Sequence, residues 1–268
     1  LRHFGRSLEF TNGMSANQPT GLLNNWRRCG FFDVDPAGHP DRFVLTLVNN
    51  RQDRPNRSAA FARSIVRDLP AHRHILMGSN IEGLARQVED ELTIALGEWS
   101  LPKGPRSMER RLKVLRRQLC LTSPGPLLRS TAKRLGLRGT QVASIAADLD
   151  NYIAQAPERL LSLSAARKEL SPLKEDFLAL AQQMEGALFH SSKERRQVID
   201  DAVDDWLDCA AEALAFSAMA RACNLTSDSQ ERLNLARKCY RELFLAHIVL
   251  VPGNPTPDHL FNVVARSA

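Results

Sequence analysis

The sequence predicts an α/β fold, a Rossmann-like, mostly parallel sheet interrupted by a large all-helical insertion. Over the first hundred positions, β-branched and leucine runs alternate with helices of about ten residues, the rhythm of βαβ units. From about Gly83 to Leu245 strand-like runs vanish and apolar residues recur at three- and four-residue steps. A strand and a helix then return at His247–Val251 and Pro257–Ala265, so the helices read as inserted, not appended.

Taken in order, Ser7 to Asn12 reads as a short extended run ending in the turn pair Asn12-Gly13. Pro19 to Cys29 is a helix with Leu22, Leu23 and Trp26 on one face. After the loop Asp33 to Pro40, Phe43 to Val48 has the near-continuous apolar character of a parallel strand covered on both faces. Ala59 to Asp68 carries Phe61, Ile65 and Val66 at helical spacing, and Ile75 to Gly78 is another buried strand. Within the helical stretch, Val198, Val203, Trp206, Leu207, Ala210 and Leu214 form one apolar stripe, and Phe177, Leu180, Ala181, Met184 and Leu188 another. Ser171-Pro172 reads as a cap with proline at the first helical position, and the pairs around Pro102-Pro105 and Pro124-Pro126 separate helices.

Composition narrows the function classes. With 43% hydrophobic residues the chain is an ordinary globular one, and 6% aromatics argue against stacking platforms for single strands. The balance of 36 Lys and Arg against 30 Asp and Glu, a net +6, permits an anionic ligand without demanding one. Five scattered cysteines without a CxxC pair indicate neither a disulfide framework nor a zinc site, and suit a reducing compartment. The longest apolar stretch, Ala210 to Ala222, is interrupted by Glu212 and too short to span a bilayer. No signal peptide is read, and a cytoplasmic chain is the expectation. Leu1 in place of methionine points to a piece of a longer protein.

Two polar loops follow strands. Asn12 to Thr20 runs into a helix N-terminus, where backbone N–H groups favour an anion. Asn49-Asn50-Arg51-Gln52-Asp53-Arg54-Pro55-Asn56-Arg57 puts three arginines and an aspartate after a buried strand, suited to clamping carboxylate or phosphate oxygens. The plainer reading of each is a capped turn with a surface ion pair.

Together these residues resemble a known family. Phe10-Thr11-Asn12-Gly13-Met14-Ser15-Ala16-Asn17, with Leu22 and Trp26, fits an N-G-x-x-A-N pattern at a strand end, and Asn49, Arg51, Asp53, Arg54 and Arg57 fit N-x-R-x-D-R-x-x-R. Both look like the carboxyl-terminal domain of the poly-γ-glutamate synthase ligase subunit (the PgsB/CapB family), of the Mur ligase superfamily. Val249 to Asn254 resembles that family's last strand and turn. The resemblance covers Ser7 to about Ala85 and, more weakly, His247 to Arg266. It implies a Mur-ligase-like C-terminal α/β domain from residues 1–85 plus 246–268, with 86–245 as an insertion it does not explain.

The resemblance further implies an ATP-dependent acid–amino-acid ligase, in which ATP phosphorylates a carboxylate and an incoming glutamate amine attacks the acyl phosphate. On that carry-over Asn12 and Asn17 lie against ATP, while Asn49, Arg51, Asp53, Arg54 and Arg57 hold glutamate or phosphate oxygens. Implied cofactors are ATP and Mg2+. Implied partners are the protein's own ATPase domain, poly-γ-glutamate, and membrane subunits of a polymer synthase at the inner face of the membrane. No GxxxxGK[ST] loop is present, and Gly136-Leu137-Arg138-Gly139-Thr140 lacks the lysine. The chain is therefore expected to be inactive alone, either as one domain of a longer ligase or as a degenerate relative.

Two other readings stand beside this one. Between Lys103 and Arg138 there are eleven Lys or Arg and one acid, Glu109, whereas Asp200, Asp201, Asp204, Asp205 and Asp208 form an acidic face. The basic residues are expected to be a solvated face, to meet the acidic helix, or to dock Arg106, Arg110, Arg111, Lys113, Arg116 and Arg117 on anionic lipid. Leu128 to Tyr152 has a helix–turn–helix rhythm, a weak pointer to DNA. His72 and His74 read as loop residues, no metal ligand set is found, and Trp206, Phe216, Cys209, Cys223 and Cys239 read as packing residues.

Overall fold

A computed structural model of the chain describes residues 2–3, 6–7, 9–11, 18–36, 38–40, 42–100, 105–134, 140–183, 192–225 and 229–267. Two-residue strands β1 (Arg2–His3) and β2 (Arg6–Ser7) pair with each other, apart from the main sheet. Helix α1 (Pro19–Arg28) follows, opened by the expected proline. Next come β3 (Leu45–Asn50), α2 (Pro55–Arg67), β4 (Arg73–Gly78) and α3 (Ile81–Gly97). The helices α4 (Pro105–Gln118), α5 (Pro124–Arg134), α6 (Thr140–Ala154), α7 (Leu163–Gln183), α8 (Ser192–Leu225) and α9 (Ser229–Ala246) lead to β5 (Ile248–Pro252) and α10 (Pro257–Arg266).

The sheet is small and wholly parallel, in the order β3-β4-β5. Leu47 pairs with Ile75, and Ile75 with Val249, so the strand after the helical stretch completes a sheet begun before it. Helices pack on both faces but cover them incompletely: Leu47 of β3 and Leu250 of β5 remain 36% and 44% exposed, so β3 is buried on one face only and not on both as its apolar run predicts. On one face Val48 and Leu76 pack against Ala62 and Ile65 of α2 and Leu84 and Val88 of α3. On the other, Ile75, Met77 and Val251 meet Leu260, Val263 and Val264 of α10. A smaller cluster joins Trp26 of α1 to Val44 and Leu69, with Leu22 and Leu23 beside it.

The first of these clusters continues without a break into the helical stretch. Leu119, Leu128, Leu149, Leu170, Trp206, Leu214 and Phe244 belong to the same buried set as Val48 and Leu76. At about 25 cal/mol per Å2 of apolar surface, this shared interior is the main stabilising element for sheet and helices together. Position 85/86, where the sequence reading divides the chain, lies inside α3.

Several expectations are corrected. Of the run Ser7 to Asn12, Ser7 belongs to β2, Glu9 to Thr11 join no ladder, Phe10 is 73% exposed, and Asn12 lies outside the described residues. Phe43 and Val44 precede β3, because the ladder position of the Val44 N–H is taken by a side chain. It donates to His72 Nδ1 at 2.9 Å, while the His72 N–H donates to the Val44 carbonyl at 2.9 Å. Pro172 lies inside α7 and does not open it. Its missing N–H would leave the Lys168 carbonyl unpaired, and the Ser171 hydroxyl donates there instead, at 3.0 Å. Part of the acidic face of α8 meets α7: Lys174 pairs with Asp204, and Arg167 with Asp208 at 2.8 Å. Met184, Leu188 and Gly136 lie outside the described residues.

Candidate functional site

The carboxyl ends of β3, β4 and β5 each turn directly into a helix N-terminus, those of α2, α3 and α10. This is the edge at which open parallel sheets take ligands. Burial alternates along β3, so that Thr46, Val48 and Asn50 point inward while Leu47 and Asn49 point out.

Asn50 ties the edge together. Its side-chain amide donates to the Ser79 carbonyl at 2.8 Å and the Asn80 carbonyl at 3.2 Å, and its oxygen accepts from the Ser58 hydroxyl at 2.7 Å. One buried side chain thus holds the β3 end, the β4 turn and the first turns of α2. The Gln52 N–H donates to Ser79 Oγ at 2.9 Å, and the Ser79 N–H to the Asn50 carbonyl at 3.1 Å. Gly78 permits the approach: its φ is 101°, and a Cβ there would stand 2.2 Å from the Asn50 carbonyl oxygen. Its N–H donates to the Gly253 carbonyl at 3.0 Å, joining the β5 turn to the same knot.

The arginines sit on this frame. Arg51 forks onto Asp53 at 3.0 and 2.8 Å and, chiefly through that hydrogen bonding, holds the Asp53 carboxyl below its usual range. Both side chains are more than half exposed, so this pair is the local ion pair of the plainer reading. Arg54 is the exposed N-cap of α2, whose N-terminus has no side-chain cap. Arg57, one turn on, lies 5.1 Å over the Phe61 ring, and its Nε–H is buried without a partner. Asn49 is exposed at the strand end. The structure therefore brings Asn49, Arg51, Asp53, Arg54 and Arg57 to one edge, while Asn12 and Asn17 lie outside the described residues. Sequence reasoning missed Asn50, Ser58 and Ser79. The period-2 pattern from Thr46 through Val48 was the available signal that Asn50 faces inward.

A second polar centre occupies the opposite, amino-terminal ends of β4 and β5. Arg73 contacts Glu212 of α8 at 2.9 Å and donates to the His72 carbonyl at 2.6 Å. His247 Nε2 stands 3.3 Å from the other Glu212 oxygen, within ion-pair range but off the direction that a hydrogen bond needs. Burial alone would raise the Glu212 carboxyl; His247 and Arg73 outweigh it and hold the group well below the ordinary carboxylate range. His72 and His74 are buried, contrary to the loop reading, and burial lowers both to about 3. The signal here was Glu212 itself, a lone acid in an apolar run that needs a buried cation.

Among the described residues no group of three or more His, Cys, Asp or Glu could hold a metal ion, and no helix is long and apolar enough to cross a membrane. Helix α6, the second of the helix–turn–helix pair, carries Asp148 and Asp150 and neither Lys nor Arg, a poor match to phosphate.

A family model described as the poly-gamma-glutamate synthase CapB C-terminal domain matches residues 1–120. The match takes in α3 and α4 and stops short of β5. The curated protein PGA synthase CapB of Bacillus subtilis (strain 168) is 31% identical over 81 residues, which are 30% of this chain and 19% of that protein. The chain thus spans about a fifth of the curated relative it matches. No solved structure matches the chain.

Proposed function

We propose that this chain supplies the acceptor-side domain of an ATP-dependent amide ligase of the poly-γ-glutamate synthase type, in the manner of the Mur ligase superfamily. The observation that carries the reading is the set Arg51, Arg54 and Arg57 around the carboxyl end of β3, within the stretch similar to CapB. In this reading residues 1–85 with 246–268 form the ligase-like unit, and 86–245 its helical insertion.

The reaction joins a polymer-end carboxylate, activated as an acyl phosphate, to the amine of glutamate; the new C–N bond forms as the C–O bond to phosphate breaks. Such a step is accelerated by positioning and by cations facing the developing oxyanions. Arg54 and Arg57 are the groups for that, since Arg51 is shared with Asp53, and the uncapped α2 N-terminus adds its dipole. ATP and Mg2+ would come with a P-loop domain, the ion offsetting phosphate charge. Asn12 and Asn17 are the proposed nucleotide contacts.

Calorimetric titration with γ-linked glutamate oligomers tests the reading. The wild type should bind, and Arg54→Ala with Arg57→Ala should weaken binding at least tenfold without lowering the melting temperature. Equal binding by the double variant overturns it. The purified chain with ATP, Mg2+ and glutamate should make no polymer.

Exposed Arg106, Arg110, Lys113 and Arg116 on α4, beside a 57% exposed Val114, favour a second reading, docking on anionic lipid at the inner face of the membrane. Flotation with acidic vesicles, lost when these four residues are neutralised, is its expected signature.

A further inference from the structure

The arginines at the carboxyl end of β3 stand beside uncharged side chains that reach across to the next strand. Ser58 lies on α2 directly after Arg57 and one turn beyond Arg54, and it is 5% exposed. Its hydroxyl has one proton and two acceptors within reach, the Asn50 side-chain oxygen at 2.7 Å and the Arg54 carbonyl at 3.4 Å. The shorter bond takes the proton.

Asn50, 3% exposed, can present only its oxygen to that hydroxyl. Both of its amide protons go to the Ser79 and Asn80 carbonyls, and a flipped amide would set oxygen against oxygen at each. An Asn50→Asp change, close in shape, would do the same with a charged oxygen. The position thus requires asparagine for reasons of donor and acceptor count, beyond those of size.

One end of this relay is firm and the other is not. Asn80 opens α3, whose Leu84, Val88 and Leu92 belong to the large buried cluster. Ser79 also holds the loop after β3 by accepting the Gln52 N–H at 2.9 Å. By contrast α2 has no side-chain cap, Arg54 is exposed, and the Arg51–Asp53 pair is exposed and internal to its own loop. Few buried contacts fix such a segment, so its first turn takes its place from the β4–α3 turn through Asn50 and Ser58. Arg57 is carried with that turn, its guanidinium 5.1 Å over Phe61 and its Nε–H buried without a partner.

We infer that Asn50 is a positioning residue of the strand-end arginines, acting through Ser58 on Arg57 and through Ser79 on the loop that carries Arg54. It sets where the cations stand and need not touch a ligand. The inference rests on the reading of Arg54 and Arg57 as the anion-holding groups, because cations already in place lose less freedom when an anion binds.

The test uses the whole chain, with the Nε–H resonances of its arginines and calorimetric titration with γ-linked glutamate oligomers. Arg67 closes the same helix, where Glu91 and Glu98 hold it, and so reports on α2 as a whole. Ser58→Ala should shift the Arg57 resonance, leave that of Arg67 in place, and weaken oligomer binding roughly fivefold or more. Unchanged oligomer affinity, an unmoved Arg57 resonance, or a shift at Arg67 as large as that at Arg57 overturns the inference. Should the wild type bind no oligomer, the ligase reading fails by itself, and the two resonances alone decide the positioning role. Where Ser58→Ala fails to fold, Ser79→Ala, at an exposed position, is judged by the same criteria with Arg54 in place of Arg57.

Discussion

Asn50 is a small side chain asked to satisfy three partners from two other segments, and its removal leaves a hydroxyl and two carbonyls short of a donor or acceptor. Asn50→Ala should cost about 2–3 kcal/mol, read from the urea midpoint. Gly78→Ala should be worse, because the left-handed backbone and the Asn50 carbonyl oppose a Cβ together. Acid sensitivity belongs to this scale too. His72 and His74 stay neutral in the fold down to about pH 3 and take a proton on unfolding below their ordinary 6.5. The unfolded chain binds more protons across that window, so stability is full above pH 6.5 and drains as pH falls toward 3. The slope is about 1.4 kcal/mol per pH unit for each ring. His74→Leu should remove about half of that slope in urea titrations between pH 6 and 4; an unchanged slope would contradict the assignment. None of these roles is local in sequence. His74 Nδ1 meets Thr46 Oγ1 at 2.8 Å across a strand pair, a contact that periodicity alone does not reveal.

At the scale of elements, the strongest periodic signals were the most legible. The helices opened by Pro19 and Pro257 begin where proline at the first helical position predicts, while Pro124, read only as a break between helices, opens one as well. Val198, Val203, Trp206, Ala210 and Leu214 fall on one long helix, α8. Legibility failed where a side chain substituted for a backbone group, as His72 does before β3 and Ser171 does around Pro172. The second case makes a prediction: Ser171→Ala should destabilise α7 by about 1 kcal/mol, whereas Pro172→Ala in the wild type should stabilise it, both read by thermal melts. The arginine loop was legible as a cluster, but not its internal division. Arg51 is tied to Asp53 while the Arg57 Nε–H has no partner, and only coordinates distinguish two arginines six residues apart.

At the scale of the molecule, the alternation of strands and helices foretold a parallel sheet closed by a strand from beyond the helical stretch. What it concealed is that the sheet shares its interior with the helices. Leu76 and Val48 belong to one buried cluster with Trp206 and Phe244. Excising residues 98–246 and joining the ends with a flexible linker should therefore give a chain without a cooperative melting transition, checked by calorimetry. The pairing of Ile75 with Val249 also bears on how the fold is reached. Contacts so distant in the chain carry a large loop-closure cost and make for slow folding. During synthesis β3 and β4 leave the ribosome long before β5 exists, so the nascent sheet waits with one flank of β4 unpaired while α4 to α9 collapse beside it. That interval is when a chaperone would be needed, and when a second nascent chain could pair where β5 belongs.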